Sequence, residues 1–375
     1  MSDLQELMVG STRVVALKDG ELTLPKEILL NIDEETTKKL SEENNQLTNS
    51  QINAYLIFKN EKILLVDSGC RDLFGPTCGF VHEEIAKANV KPEDITDIFF
   101  THLHPDHVGG SINKDGKAIF PNATVNIIED ELNFWSKDDF EDIEVNGKNM
   151  ADLNKSVIKA YGERVKTIKT NQEIISGVFP VPLPGHTPGH SGFRIDDDNI
   201  SFVQMGDVLH TPNLQLSDPN ISVLFDIDVE QGLKSRKKAF DMVCNDRIIC
   251  SGGHILEPKF GYLERILIFS NYFEAHELDF KILKEHFWPF TSVFSSKHAE
   301  FLVGLIFLID GCFNGEEYVS LGAKRLLDTQ KFCKTKLNVQ YKTEKRFWRE
   351  FADRLEFFDD KNHVLKSIIN STKIL

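Results

Sequence analysis

The chain has 375 residues, 41% of them apolar and 27% charged, and a formal net charge of −15 at pH 7. That describes a globular protein long enough for two domains, and it excludes a wholly disordered chain. The acidic balance argues against a generic nucleic-acid binder. The longest apolar run, Phe301 to Ile309, is closed by Glu300 and Asp310, too short for the roughly 20 residues of a membrane span.

The N-terminus, Met1-Ser2-Asp3, has no basic region followed by an apolar stretch, so a cytoplasmic location is expected. Thr12–Leu17 and Glu21–Leu24 predict short strands around Asp19-Gly20, a hairpin turn pair. Residues 33–50 are polar and acidic and predict an exposed insertion or lid. Ile52–Phe58 and Lys62–Asp67 predict a second hairpin. A helix is expected over His82–Asn89, then a buried strand over Ile95–Thr101.

The second half repeats this grammar. Val125–Ile128 predicts a strand, and Asp130–Trp135 and Met150–Tyr161 predict helices. Val178–Leu183 predicts a strand that Pro180 and Pro182 confine to a sheet edge. Phe193–Ile195 and Ile200–Gln204 follow as strands. Asp228 opens a helix to about Val243 with Gln231 as capping-box partner, and Arg247–Cys250 is the last strand. Strand pairs followed by helices, twice over, predict two packed sheets with helices outside.

After Tyr262 the texture changes. Segments 263–288, 296–311, 316–332 and 343–369 have helical spacing and many aromatics. The predicted organisation is therefore a catalytic domain over 1–262 and an all-helical C-terminal module over 263–375. Residues 265–375 hold 17 basic and 15 acidic side chains, so the first 264 carry −17. A basic, aromatic helical module suits a partner or membrane-surface site, but a solvated face over an aromatic core suits it better. Six cysteines without CxxC spacing read as free thiols.

The sharpest feature is Thr101-His102-Leu103-His104-Pro105-Asp106-His107, at the end of a predicted buried strand. Imidazole and carboxylate are ligands that zinc-like divalent ions favour. Further pieces each follow a predicted strand: Pro184-Gly185-His186-Thr187-Pro188-Gly189-His190, Gly206-Asp207, and Gly252-Gly253-His254. They offer five expected histidine ligands and two carboxylates, enough for a two-metal centre.

These motifs resemble the metallo-β-lactamase superfamily over roughly residues 12–264. His102, His104, Asp106 and His107 match its HxHxDH motif, His186 its GHTPGH motif, Asp207 its bridging aspartate and His254 its last histidine. Asp67, in Val66-Asp67-Ser68-Gly69, matches the early Asp-x-Gly turn, usually a supporting position. Val15-Ala16-Leu17-Lys18-Asp19-Gly20, Phe99 to Gly110, Gly206 to His210 and Phe225 to Asp228 resemble one branch of the superfamily. That branch contains the quorum-quenching N-acyl-homoserine lactonases and methyl parathion hydrolase.

The resemblance implies an αββα sandwich, an α/β fold to which this chain adds its helical module. It implies two divalent ions, zinc first, with manganese, iron or cobalt as alternatives. His102, His104 and His186 would hold one ion, Asp106, His107 and His254 the other, and Asp207 would bridge them. Water activated between the ions would attack the substrate, with Asp106 as proton shuttle and Asp106 and Asp207 as the catalytic carboxylates. His190 is expected to support a turn, and His210 either touches substrate or packs.

The expected activity is hydrolysis of a small-molecule lactone or ester. Phosphotriester or thioester hydrolysis by the same centre, and a binding role led by the C-terminal module, are the alternatives. No nucleic-acid partner and no transmembrane segment are expected, and a homodimer stays open. A β-lactamase fits less well, because Asp207 stands where the best-known zinc β-lactamases carry cysteine.

Overall fold

A computed structural model describes residues 4–42, 46–137 and 148–263. The helical segments expected after Tyr262, and the C-terminal module they compose, lie outside the described residues. The chain opens with strands β1 (Gln5–Val9), β2 (Thr12–Thr23) and β3 (Leu29–Leu30), helix α1 (Glu34–Glu42) and strand β4 (Asn49–Lys59). Next come β5 (Lys62–Val66), α2 (Val81–Lys87), β6 (Asp97–Phe100), α3 (Pro105–Val108), β7 (Thr124–Ile128), α4 (Glu129–Trp135), α5 (Lys148–Tyr161) and β8 (Val165–Ile168). The remainder is β9 (Val178–Pro182), β10 (Ser191–Asp197), β11 (Ile200–Gln204), α6 (Pro212–Gln215), β12 (Ser222–Val223), α7 (Val229–Asn245) and β13 (Ile249–Ser251).

Seven strands form one sheet in the order β1-β2-β4-β5-β6-β7-β8, and four form a second in the order β13-β11-β10-β9. Period-2 alternation explains the layering. Val14, Ala16, Tyr55 and Ile57 face inward and pack with Phe193, Ile195 and Phe202 of the second sheet. Their neighbours Val15, Leu17, Ala54 and Leu56 face the other way, against Val81 and Ile85 of α2 and Val157 and Tyr161 of α5. Val203 and Cys250 on the far face of the second sheet meet Ala239 and Val243 of α7. The result is helix, sheet, sheet, helix, the layering expected.

Most predicted elements stand, including β9 at its sheet edge. Three expectations change. Asp19-Gly20 is not a hairpin turn; β2 runs through it with a bulge between Lys18 and Gly20, and the hairpin is the one joining β1 to β2. The Asp19 carboxylate is buried and accepts from the N–H groups of Cys70 (2.9 Å) and Val81 (2.8 Å), which holds a turn-favouring residue inside a strand. Residues 33–50 are not a free lid: Leu40 of α1 is buried with Leu29, Leu214, Ile221 and Val223. Asp228 caps α7 by accepting from Gln231 N (2.9 Å), while the Gln231 side chain reaches Ser235 rather than closing a capping box. Strands β1 and β8 are additions. Cys70, Cys78 and Cys250 are free thiols.

Candidate metal centre

Every motif residue sits just past the C-terminal end of a strand. β5 delivers Asp67, β6 delivers His102 to His107, β9 leads to His186 and His190, β11 to Asp207, and β13 to His254. Loops on a rigid double sheet can thus converge from both layers. Their meeting point is one atom, Asp207 Oδ2. It lies 2.9 Å from His254 Nε2, 3.0 Å from His107 Nε2, and 3.6, 3.7 and 3.6 Å from the Nε2 atoms of His102, His186 and His210.

Three overlapping groups have ligand atoms all within 4.8 Å of one another: His102, His104 and His186; Asp106, His107, Asp207 and His254; and His186, Asp207 and His210. Nε2 of His102, His104 and His186 and Oδ1 of Asp207 are buried without a hydrogen-bond partner. Buried polar atoms are rarely left unpaired, so this donor set fits divalent ions. Glycine makes the closeness achievable. A Cβ on Gly253 would stand 2.1 Å from Asp207 Oδ1, and one on Gly206 would stand 2.3 Å from His190 Nε2.

The electrostatics divide the cluster. Burial holds His102, His104 and His210 well below the usual imidazole range. Burial also opposes charge on His107, but the carboxylates of Asp207, Asp106 and Asp67 outweigh it and raise that group well above the range. His254 is raised in the same way, chiefly by Asp207 against burial. Burial works against ionised Asp106, yet His107 and His254 hold it down at about 2. Asp106 and Asp207 are therefore anions and His102, His104 and His210 neutral, the forms that bind metal, whereas His107 and His254 give up a proton when an ion binds.

The supporting residues are equally specific. Asp67 holds His107 Nδ1 (2.9 Å) and accepts from the N–H and hydroxyl of Thr101. His190 meets the Leu183 carbonyl through Nδ1 (2.6 Å) and accepts from Asp207 N through Nε2 (2.7 Å), so both ring nitrogens are engaged in bracing the loop. His210 is buried, rests edge-on against Phe225, and leaves Nδ1 unpaired.

Several functional supports escaped the sequence reading. Asp226 Oδ1 lies 2.8 Å from His186 Nδ1. Glu131 is wholly buried; one oxygen accepts from Leu103 N and Trp135 Nε1, the other from the Thr187 hydroxyl and Gly189 N. It ties the first histidine motif to the second. The Gln51 carbonyl holds His254 Nδ1 (2.8 Å), and Asn53 and Tyr55 bond the Gly252 carbonyl beside it. Arg236 is buried and gathers the carbonyls of Val208, Pro219 and Ile221. The one available signal was burial: Glu131 and Arg236 are charged residues on the inner faces of predicted helices.

Comparison with known proteins follows this geometry. A model of the metallo-beta-lactamase superfamily matches residues 47–254. An N-acyl homoserine lactonase from Bacillus sp is 27% identical over 180 residues, 47% of this chain and 62% of that protein. The chain thus spans less than two thirds of that relative. N-acyl homoserine lactonase AiiA from Bacillus thuringiensis subsp. kurstaki is 25% identical over 238 residues, 57% of this chain and 85% of the relative. Among solved structures, hydrolase AbOPH in the beta lactamase superfamily is similar with a TM-score of 0.66 and 28% identity, covering 71% of this chain and 95% of its own. AidC, a dizinc quorum-quenching lactonase in complex with a product, N-hexanoyl-L-homoserine, has a TM-score of 0.65 and 25% identity over the same shares.

Proposed function

This chain belongs to the metallo-beta-lactamase superfamily, and on that premise we propose that it is a two-metal hydrolase that opens N-acyl-homoserine lactones. One observation carries the reading. Asp207 places a single carboxylate between two adjacent ligand groups, one drawn from His102, His104 and His186, the other from Asp106, His107 and His254. The lactonase likenesses add the substrate class. No helix among the described residues is long and apolar enough to cross a membrane, which suits a small-molecule substrate arriving from water.

Bound divalent ions, zinc first, would supply Lewis-acid polarisation of the ester carbonyl and an acidified water. The chain's own groups do the rest. Asp207 holds the two ligand groups in register. Asp106 is the most exposed carboxylate of the cluster, its side chain 13% exposed, so it can carry a proton to the leaving alkoxide. His210, with an unpaired ring nitrogen and its Nε2 3.6 Å from Asp207, would contact the substrate.

The test is proton release from N-acyl-homoserine lactones by metal-reconstituted protein, beside Asp207→Ala. Ring opening that requires metal and disappears in the variant supports the reading. A protein that holds two ions and turns over phosphotriesters or thioesters, but no lactone, would replace lactone by that substrate class. No hydrolysis of any of the three would leave the C-terminal module as the active part.

A further inference from the structure

Lys259 is 3% exposed, and among the described residues no carboxylate lies within ion-pair distance of it. Its ammonium group instead donates to three amide-type oxygens: Gln51 Oε1, Asn53 Oδ1 (2.6 Å) and the Ile255 carbonyl (3.2 Å). Three protons meet three acceptors, which satisfies the group completely. A lysine placed only to solubilise a surface has no such cage.

The cage has a consequence for orientation. An amide side chain can present oxygen or nitrogen in either direction. Because Lys259 takes the oxygen of Asn53, the Asn53 NH2 must turn to the opposite side. There it donates to the Ile255 carbonyl (2.9 Å) and the Gly252 carbonyl (3.3 Å), while Asn53 N donates to the Gly253 carbonyl (2.9 Å). Because Lys259 also takes the oxygen of Gln51, the Gln51 NH2 turns outward to Glu21 (3.0 Å). The same Gln51 offers its carbonyl to His254 Nδ1. Residues 252–255 are thus held on β4 by the main chain of Gln51 and Asn53 and by the Asn53 amide, whose direction Lys259 decides, while Lys259 itself holds the Ile255 carbonyl next to His254. Its own backbone is pinned as well: Lys259 N donates to Gln5 Oε1 (2.7 Å), and the Ser251 hydroxyl donates to the Lys259 carbonyl.

We infer that Lys259 is a positioning residue for His254: its ammonium group orients the Asn53 amide and holds the Ile255 carbonyl, two contacts that dock the His254 loop on β4, and so sets where the last ligand of one ion stands. The inference rests on the two-ion reading above. Residues that hold a ligating histidine typically change metal affinity 10- to 100-fold when removed.

Full-length, metal-free protein is titrated with zinc chloride by calorimetry. The wild type is expected to give two binding events. His254→Ala identifies the event that depends on His254. Lys259→Met is expected to weaken that same event about 10- to 100-fold and leave the other unchanged. Lys259→Arg keeps the charge but cannot place its planar fork on the same three oxygens, and is expected to weaken it less. Circular dichroism checks folding, and if the methionine variant does not fold, the arginine variant carries the comparison. Two events of wild-type strength in the folded variants would overturn the inference alone. Equal weakening of both events would also overturn it, since a merely structural lysine acts on the whole site. A wild-type protein that binds fewer than two ions would overturn the two-ion reading, and this inference with it.

Discussion

Asp226 Oδ1 stands 2.8 Å from His186 Nδ1, forty residues away in the chain, and fixes which ring nitrogen of His186 turns toward Asp207. A carboxylate behind a ligating imidazole both aims the ring and makes it a better ligand. Asp226→Ala is expected to weaken zinc binding at the His102, His104 and His186 group about 10- to 100-fold. Asp226→Asn keeps an acceptor without charge and should lose less. Calorimetric titration reads both, and equal affinities for the two variants would refute a role for the charge.

Glu131 makes four buried hydrogen bonds, one to Leu103 of the first histidine motif, two to Thr187 and Gly189 of the second and one to Trp135. Truncation strands four donors, at about 1–3 kcal/mol for each that water does not reach. Glu131→Ala is expected to destabilise the fold by at least about 3 kcal/mol in urea unfolding. A loss under about 1 kcal/mol would mean that the motifs stand without it.

Gly253 touches the centre without supplying a ligand. A methyl group there meets Asp207 Oδ1 at 2.1 Å, so the carboxylate or the loop must move. Displacement of about 1 Å at an active site can cost about 100-fold in rate. Gly253→Ala is expected to fold with a normal circular dichroism spectrum and lose at least that much kcat. Wild-type turnover would show that the loop can absorb the shift.

Lys259 also gives a pH signature. Burial draws its ammonium group down to about 7 from the lysine reference value of 10.5, against the pull of Glu257. Between those values the unfolded chain holds a proton that the folded chain has released, so stability rises with pH across that window. The slope is at most about 1.4 kcal/mol per pH unit and vanishes below about pH 7, where both states are protonated. Urea unfolding at pH 7, 8 and 9 should show a shallower rise in Lys259→Met than in the wild type. Parallel curves would count against the shift.

The ligand motifs were legible because each is contiguous and punctuated by glycine, as in His102 to Gly110 and Gly185 to His190. Their partners were not. Glu131 reads as an ordinary first-turn glutamate of α4, and Asn53 as a polar residue in an apolar strand. Only the fold brings them within bonding distance of residues 28 to 202 positions away. Asp19-Gly20 misled for the same reason: local turn chemistry yields to the backbone donors of Cys70 and Val81, which no local window contains. Strand β1 went unread because Gln5 and Glu6 make it half polar, as befits an edge strand.

The ligand loops come from different layers. His102, His104, Asp106 and His107 follow the seven-stranded sheet, whereas His186, Asp207 and His254 follow the four-stranded one. Each ion in the proposed centre would therefore act as a removable cross-link between the two halves of the sandwich. Under that reading, a chelator does more than silence the enzyme. It unfastens the seam, and the lifetime of the chain against cellular proteases becomes a gauge of free metal: each tenfold fall in ion concentration above Kd takes about 1.4 kcal/mol from the folded state for each ion.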